Sequence, residues 1–330
     1  MKHKFPRISI ITPSYNQGHF LEETIRSVLL QDYPDIEYII IDGGSTDNSK
    51  AIINKYKKKL AWSVSEPDNG QSDAINKGLR RATGEFVAWL NSDDIYTENA
   101  ISSAVEKLRS NPECGMVFSN VLSMDSDSSI FNIMQYGDWG LLELMEFKVI
   151  GQPGIFMRKK ALDDVGFLED DYHWLMDHHL WLKIALKYPI KYVDEFWAAA
   201  RFHPGAKNLR GAEKYGMEAF EIYEWMRQEP DFLPLLLKNK KKVEAGAYLL
   251  QARYLLEGNM NWLAFKNYLK SISLDVSNLP KEFNRIAYSL FNGLIPLKKL
   301  KENYLHRRTE TIKRKDYGSL IRYLKKEQEV

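Results

Sequence analysis

Two adjacent carboxylates, Asp93 and Asp94, close the segment Asn91-Ser92-Asp93-Asp94 directly behind an apolar run at residues 86–90. Hard divalent cations such as Mg²⁺ and Mn²⁺ take oxygen ligands and are commonly held by one or two carboxylates plus substrate phosphates. An Asn two positions ahead of the Asp pair adds an amide at the same strand end. Asp42 (with Asp47 beyond it), and Glu66 with Asp68, stand in turns behind two other apolar runs. Each has a plain reading as a turn former, and Asp94 as a cap for a helix starting near residue 98. Recurrence of the pattern behind successive strands favours a shared site. A further acidic residue, Asp177, opens a helical pattern in Trp174-Leu175-Met176-Asp177-His178-His179-Leu180-Trp181. A helix N-terminus favours an ionised carboxylate, which a general base requires, and a simple N-cap is the alternative. His178 and His179, about 100° apart on a helix, make a poor chelating pair and read as packing or surface residues.

The elements that carry these residues alternate. Residues 8–12, 38–41, 61–65 and 85–90 read as strands, and 20–30, 49–59, 72–83 and 98–110 as helices. Strand–helix alternation with short connections implies a parallel sheet flanked by helices. Ligands of such sheets bind at the carboxyl ends of the strands, where the polar residues fall. The pattern becomes irregular after residue 118, with a loop or hairpin at 125–129, a break at 151–154 and a helix at 177–188. From residue 211 the chain reads as almost wholly helical, with a hairpin of 245–256 and 262–272 turned at Gly258-Asn259. The expected organisation is an α/β domain over 1–210 and a basic helical domain over 211–330.

Composition narrows the partners. The 330 residues are 44% hydrophobic and 27% charged with net charge +2, ordinary for a folded domain. Residues 211–330 hold 22 Lys+Arg against 15 Asp+Glu, and residues 1–210 hold 24 against 29, so the halves carry +7 and −5. The one cysteine excludes an internal disulfide. Together with the absence of a signal-like or membrane-spanning run, it predicts a cytoplasmic protein. The basic, aromatic-rich stretch 238–315 suits peripheral contact with an anionic membrane on its inner face or a solvated helical surface. The acidic front half disfavours nucleic acid. No G-x-G-x-x-G follows the first strand and no P-loop motif occurs, against a dinucleotide oxidoreductase and a P-loop NTPase.

Ile10-Ile11-Thr12-Pro13-Ser14-Tyr15-Asn16, Ile41-Asp42-Gly43-Gly44-Ser45-Thr46-Asp47, Gly84-Glu85-Phe86 and Asn91-Ser92-Asp93-Asp94 together resemble family 2 glycosyltransferases of GT-A fold. The resemblance covers about 200 residues. It implies a Rossmann-like, mostly parallel sheet flanked by helices, with the C-terminal helical domain as an addition. It also implies inverting transfer from a nucleoside-diphosphate sugar, UDP-linked by preference, to a glycan or lipid-linked acceptor in cell-surface polysaccharide or glycoconjugate synthesis. Mn²⁺ or Mg²⁺ is the expected cofactor, on Asp93 with His203. Asp177 is the implied base. Pro13, Tyr15, Asn16, Asp42, Asp68, Lys77, Asn91 and Ser92 face the donor, while Asp94, Gln152, Trp174 and Lys207 belong to the acceptor or phosphate region. Two departures stand out: Asn91 replaces an acidic residue that the family usually carries, and Gly43 stands where many members have a second one. They keep open a catalytically weak or inactive glycan-binding protein, and a nucleotidyltransferase is the other alternative.

Overall fold

The computed structural model describes residues 5–203, 205, 211–294 and 316–325, and the chain divides into two units. The first comprises Met1–Trp139, Ile150–Phe202 and Thr311–Val330, the second Gly140–Val149 and His203–Glu310.

In the first unit, β1 (Ile8–Ser14), β2 (Ile36–Asp42), β3 (Trp62–Ser65) and β4 (Phe86–Trp89) are joined by α1 (Gly18–Leu29), α2 (Ser49–Tyr56) and α3 (Gln71–Arg81). They pair in parallel in the order β3-β2-β1-β4. β1 is buried at every position, as an inner strand covered on both faces must be, which explains its unbroken apolar run. The register sets Ser14 beside Asp42, Asp42 beside Ser65, and Ile11 beside Trp89. All four polar strand ends therefore emerge along one edge of the sheet.

Beyond β4 the sheet is mixed. β5 (Ile95–Tyr96) and α4 (Ala100–Ser110) lead to the hairpin of β6 (Met116–Met124) and β7 (Ile130–Met134). After α5 (Leu141–Met145), which belongs to the second unit, come β8 (Ile155–Arg158), α6 (Lys159–Val165), α7 (Met176–Lys187) and β9 (Ile190–Arg201). β8 runs antiparallel to both β4 and β6, whereas β9 runs parallel to β6. The parallel architecture expected from the sequence thus holds in the half that carries the carboxylates, with antiparallel pairs added on the other side. β9 had no sequence signal, because its half-buried polar residues blur the alternation that marks a strand.

The second unit contains α8 (Ala212–Gln228), α9 (Leu233–Glu257), α10 (Asn261–Leu274) and α11 (Asn278–Leu294) besides α5. α9 and α10 are the two arms of the expected hairpin, and Asn259 takes the left-handed backbone (φ +61°) that turns it. Two segments depart from a simple division at residue 210. Residues 140–149 join the helices: a Cβ on Gly246, in mid-α9, would lie 2.0 Å from the Glu146 carbonyl oxygen, so only a glycine lets the two backbones touch. Residues 317–325 form a 3₁₀ helix on the first unit. There the Tyr323 hydroxyl bonds Tyr96 O at 2.9 Å and Ser27 O at 3.2 Å, while Ile321 and Leu324 pack with Ile95, Leu122 and Met124. Among the described residues no helix is long and apolar enough to cross a membrane.

Candidate active site

The turn after β2 is built around Asp42. Its carboxylate is fully buried and accepts from Ser45 N (2.9 Å), Ser45 Oγ (2.5 Å) and Ser65 Oγ (2.5 Å). Those bonds make Asp42 the organiser of the turn after β2. Asn16 sits in the left-handed region (φ +52°), where its Oδ1 accepts from Thr46 N at 2.8 Å and its N–H donates to Ser45 Oγ at 2.8 Å. Asp47 accepts from Gly18 N and Ser49 N. Its partial burial opposes ionisation, but the hydrogen bonds prevail and hold its pKa below the ordinary range. Pro13 is buried beside Ile41, whereas Tyr15 is 62% exposed at the tip of β1.

Gly43 leaves room for a different carboxylate. A Cβ there would lie 2.5 Å from Asp68 Oδ2, and Asp68 Oδ1 accepts from Gly70 N at 3.0 Å. Asp68 thus leans over the β2 end from the β3 loop, half-exposed. Lys77 is committed to Glu66 at 2.7 Å. That hydrogen bond is the main cause of its raised pKa.

The turn after β4 is held on several sides. Asn91 Oδ1 accepts from Gln71 Nε2 at 2.9 Å, and its Nδ2 donates to Gln152 Oε1 at 3.1 Å and to Asp94 Oδ2 at 3.3 Å. Gln152 Nε2 in turn donates to Trp89 O at 2.8 Å. Ser92 is buried, and Thr24 Oγ1 donates to the Ser92 and Asp94 carbonyls. Asp94 Oδ1 accepts from Arg201 N at 2.9 Å. Burial first, and the charge of Asp93 second, raise the Asp94 pKa well above the carboxylate range. Arg201, unnoticed in the sequence, lies at the end of β9 with its side chain wholly buried. Its guanidinium donates to Asp93 O (2.9 Å), Glu23 (2.6 Å), Asp125 O (3.0 Å) and Ser128 Oγ (2.9 Å). Asp93 alone of the pair keeps a half-exposed carboxylate.

Asp177 is the second residue of α7, half-buried, and accepts from His178 N at 2.7 Å. The N-cap position is Leu175, so the plain capping role does not apply. Trp174, three residues earlier, is half-buried. His178 and His179 are buried in the packing of α7. Burial, then Lys183 and His178, push the His179 pKa down to about 3. Trp89 and Trp181 stack at 5.2 Å and 21°. The stack packs the end of β4 against α7, and hydrogen bonds link Asn91 to Asp94 and Gln152 at the β4 turn. His203 belongs to the second unit, where it is buried and its Nδ1 accepts from Gly205 N at 3.2 Å. Lys207 lies outside the described residues.

Among the described residues no group of three or more His, Cys, Asp or Glu side chains is arranged to hold a metal ion. Asp93 by itself fits the other regime, in which one carboxylate shares a cation with substrate phosphates.

Residues 9–165 match the sequence model of Glycosyl transferase family 2. The matched residues, just under half of the chain, are similar to a family 2 glycosyltransferase domain. The match runs from the second residue of β1 to the end of α6 and so holds the ends of β1, β2, β3 and β4, while Asp177 and Arg201 lie beyond it. The poly-beta-1,6-N-acetyl-D-glucosamine synthase of Staphylococcus epidermidis is 30% identical over 175 residues, which is 50% of this chain and 42% of that protein. Two solved structures share the GT-A fold at low identity. The mannosyltransferase PcManGT of Pyrobaculum calidifontis, in complex with GDP-Man and Mn²⁺, aligns at 20% identity and TM-score 0.58, covering 89% of this chain and 88% of that one. TarS residues 1–349 of S. aureus, in complex with UDP-GlcNAc, align at 16% and 0.52, covering 84% and 92%. The chain spans from about a third (35%) to half (50%) of the length of the curated relatives it first matches.

Proposed function

We propose that this chain transfers a sugar, with inversion, from a nucleoside-diphosphate sugar to an acceptor hydroxyl in the assembly of a cell-surface polysaccharide or glycoconjugate. One observation carries the reading: the stacked Trp89 and Trp181 pack the strand that leads into the Asp93 turn against α7, whose second residue is Asp177. A leaving-group site and a base on one rigid body are what a single displacement needs.

On the donor side, Asp68 beside Gly43 supplies the carboxylate for a base or ribose, and exposed Tyr15 a ring. Asn91, held by Gln71 and Gln152, offers its amide oxygen to accept from a ribose hydroxyl. When bound, Mn²⁺ or Mg²⁺ on Asp93 neutralises charge on the diphosphate. Arg201 holds the peptide that carries Asp93. Asp177 takes the proton of the acceptor hydroxyl. The acceptor oxygen then bonds the anomeric carbon as that carbon's bond to the diphosphate oxygen breaks, and the electron pair leaves with the nucleoside diphosphate. UDP-GlcNAc and GDP-Man in the two structural neighbours support a nucleotide-sugar donor, with UDP preferred here.

Purified protein is to be screened by thermal shift with UDP- and GDP-sugars, with and without Mn²⁺. A stabilising donor is expected only with the cation, since ligands of the folded state raise stability. Asp93→Ala abolishes that shift. Asp177→Asn keeps it and loses transfer by about 10²–10⁴-fold, the usual contribution of a general base. Transfer by Asp177→Asn at the wild-type rate would refute the base assignment.

A membrane reading of the second unit rests on exposed Trp262, Leu263 and Phe283 on helices that also carry Lys266, Lys270 and Lys281. It places the protein peripherally on an anionic inner leaflet. Equal sedimentation with anionic and neutral liposomes would refute it.

A further inference from the structure

An aromatic pair lies on the Asp177 side of the first unit, outside every motif that the sequence offered. Residues 135–139 continue from the end of β7. The Tyr136 N–H donates to Asn120 Oδ1 at 2.9 Å, and its phenol oxygen accepts from Gly151 N at 2.8 Å. A Cβ on Gly151 would lie 2.4 Å from that oxygen, so this approach requires glycine. Gly151 immediately precedes Gln152, which bonds both Asn91 and Trp89. The phenol is thereby fastened to the turn that touches the Asp93 loop. Burial raises the Tyr136 pKa, and the nearby Asp177 carboxylate adds to the rise.

The ring is braced on both sides. Phe118 meets it at 6.5 Å and 60°, and Trp139 at 5.4 Å and 63°. Phe118 is core, while Tyr136 and Trp139 are half-exposed. A tyrosine hydroxyl accepts and also donates. Among the described residues its oxygen is used by Gly151, and no acceptor for its hydrogen is placed.

An indole wall beside an oriented hydroxyl matches a pyranose, whose C–H faces pack on aromatic rings while its edges offer hydroxyls. A simple alkyl alcohol brings only the hydroxyl that reacts and has no neighbouring one to accept from the phenol. The geometry points to Tyr136 and Trp139 as the acceptor-sugar subsite: Trp139 stacks on a pyranose ring, and Tyr136 donates to a hydroxyl near the one that reacts. This rests on Asp177 being the base, and it adds that the acceptor presents a sugar ring at the reacting end.

The test is a printed array of pyranose oligosaccharides probed with wild-type protein, Tyr136→Phe, Trp139→Ala and Trp139→Phe. Wild type is expected to bind a subset of the saccharides. Trp139→Ala weakens that binding about tenfold, with partial rescue by Trp139→Phe, on the scale of a lost aromatic contact. Tyr136→Phe weakens it about threefold to tenfold, as loss of one hydrogen bond does. The thermal shift with UDP- and GDP-sugars plus Mn²⁺ is read on the same samples. It reports whether each variant is folded and tests the donor reading separately. No donor shift in any sample defeats the donor reading and leaves the array result to stand by itself. Wild type binding no saccharide, or binding equally in all four proteins, overturns the subsite.

Discussion

At the scale of single residues, Asp42 and Asp68 meet the end of β2 in different ways. Asp42 stands at the tip of an inner strand, yet three donors use its carboxylate. Asp68, in a loop, reaches the space left by Gly43. Replacing Asp42 with Ala strands buried donors at about 1–3 kcal/mol each when unsatisfied, so chemical denaturation of Asp42→Ala should show a clear loss of stability. Asp68→Asn should leave the denaturation midpoint in place and lower donor affinity in calorimetric titration. His179 gives a pH signature. Its folded pKa of about 3 lies below the ordinary value of 6.5, so between those values the unfolded chain binds a proton that the folded chain does not. Stability therefore falls as pH drops from about 6.5 toward 3. Melting curves of His179→Gln should lose part of that acid dependence; an unchanged slope would reject the assignment. The carboxylate turns were legible because Asp, Asn and Gly follow apolar runs. The approach of Asp68 to Gly43 was not, because it depends on how the β3 loop folds back over the end of β2.

At the scale of elements, backbone contacts decide where segments go. Gly246 allows α9 to meet the Glu146 carbonyl. Gly246→Ala, which would raise helix propensity in isolation, should instead destabilise by about 1–3 kcal/mol, as overpacking does, measurable in urea. The 3₁₀ helix Tyr317–Lys325 is anchored by Tyr323 to Gln31, Ser27 and Tyr96. Tyr323→Phe removes the hydroxyl that bonds the Ser27 and Tyr96 carbonyls and should lower stability by about 1–3 kcal/mol. The alternation of strands and helices through α4 was plain in the sequence, since inner parallel strands give unbroken apolar runs. β9 and the return of residues 317–325 were not, because one is only partly buried and the other is short and polar-rich in its surroundings.

At the scale of the whole molecule, metal and donor are expected to act together. With Asp93 as the one half-exposed carboxylate of its pair, the cation's remaining ligands come from the diphosphate. EDTA should therefore leave the melting temperature of the donor-free protein unchanged while abolishing stabilisation by the donor. A drop in the donor-free melting temperature would indicate a resident structural metal instead. The residue order alone determined the strand–helix alternation, the edge at which polar groups gather and the family resemblance, since local hydrophobic period and turn chemistry are written position by position. Only tertiary structure decided that Ser45 and Ser65 bond Asp42 while Asp68 stands over Gly43, that Arg201 grips the Asp93 turn from 108 residues away, and that Tyr136, stacked edge-on with Trp139, bonds Gly151. Those outcomes depend on which distant backbones approach closely enough to bond, and no local pattern encodes that.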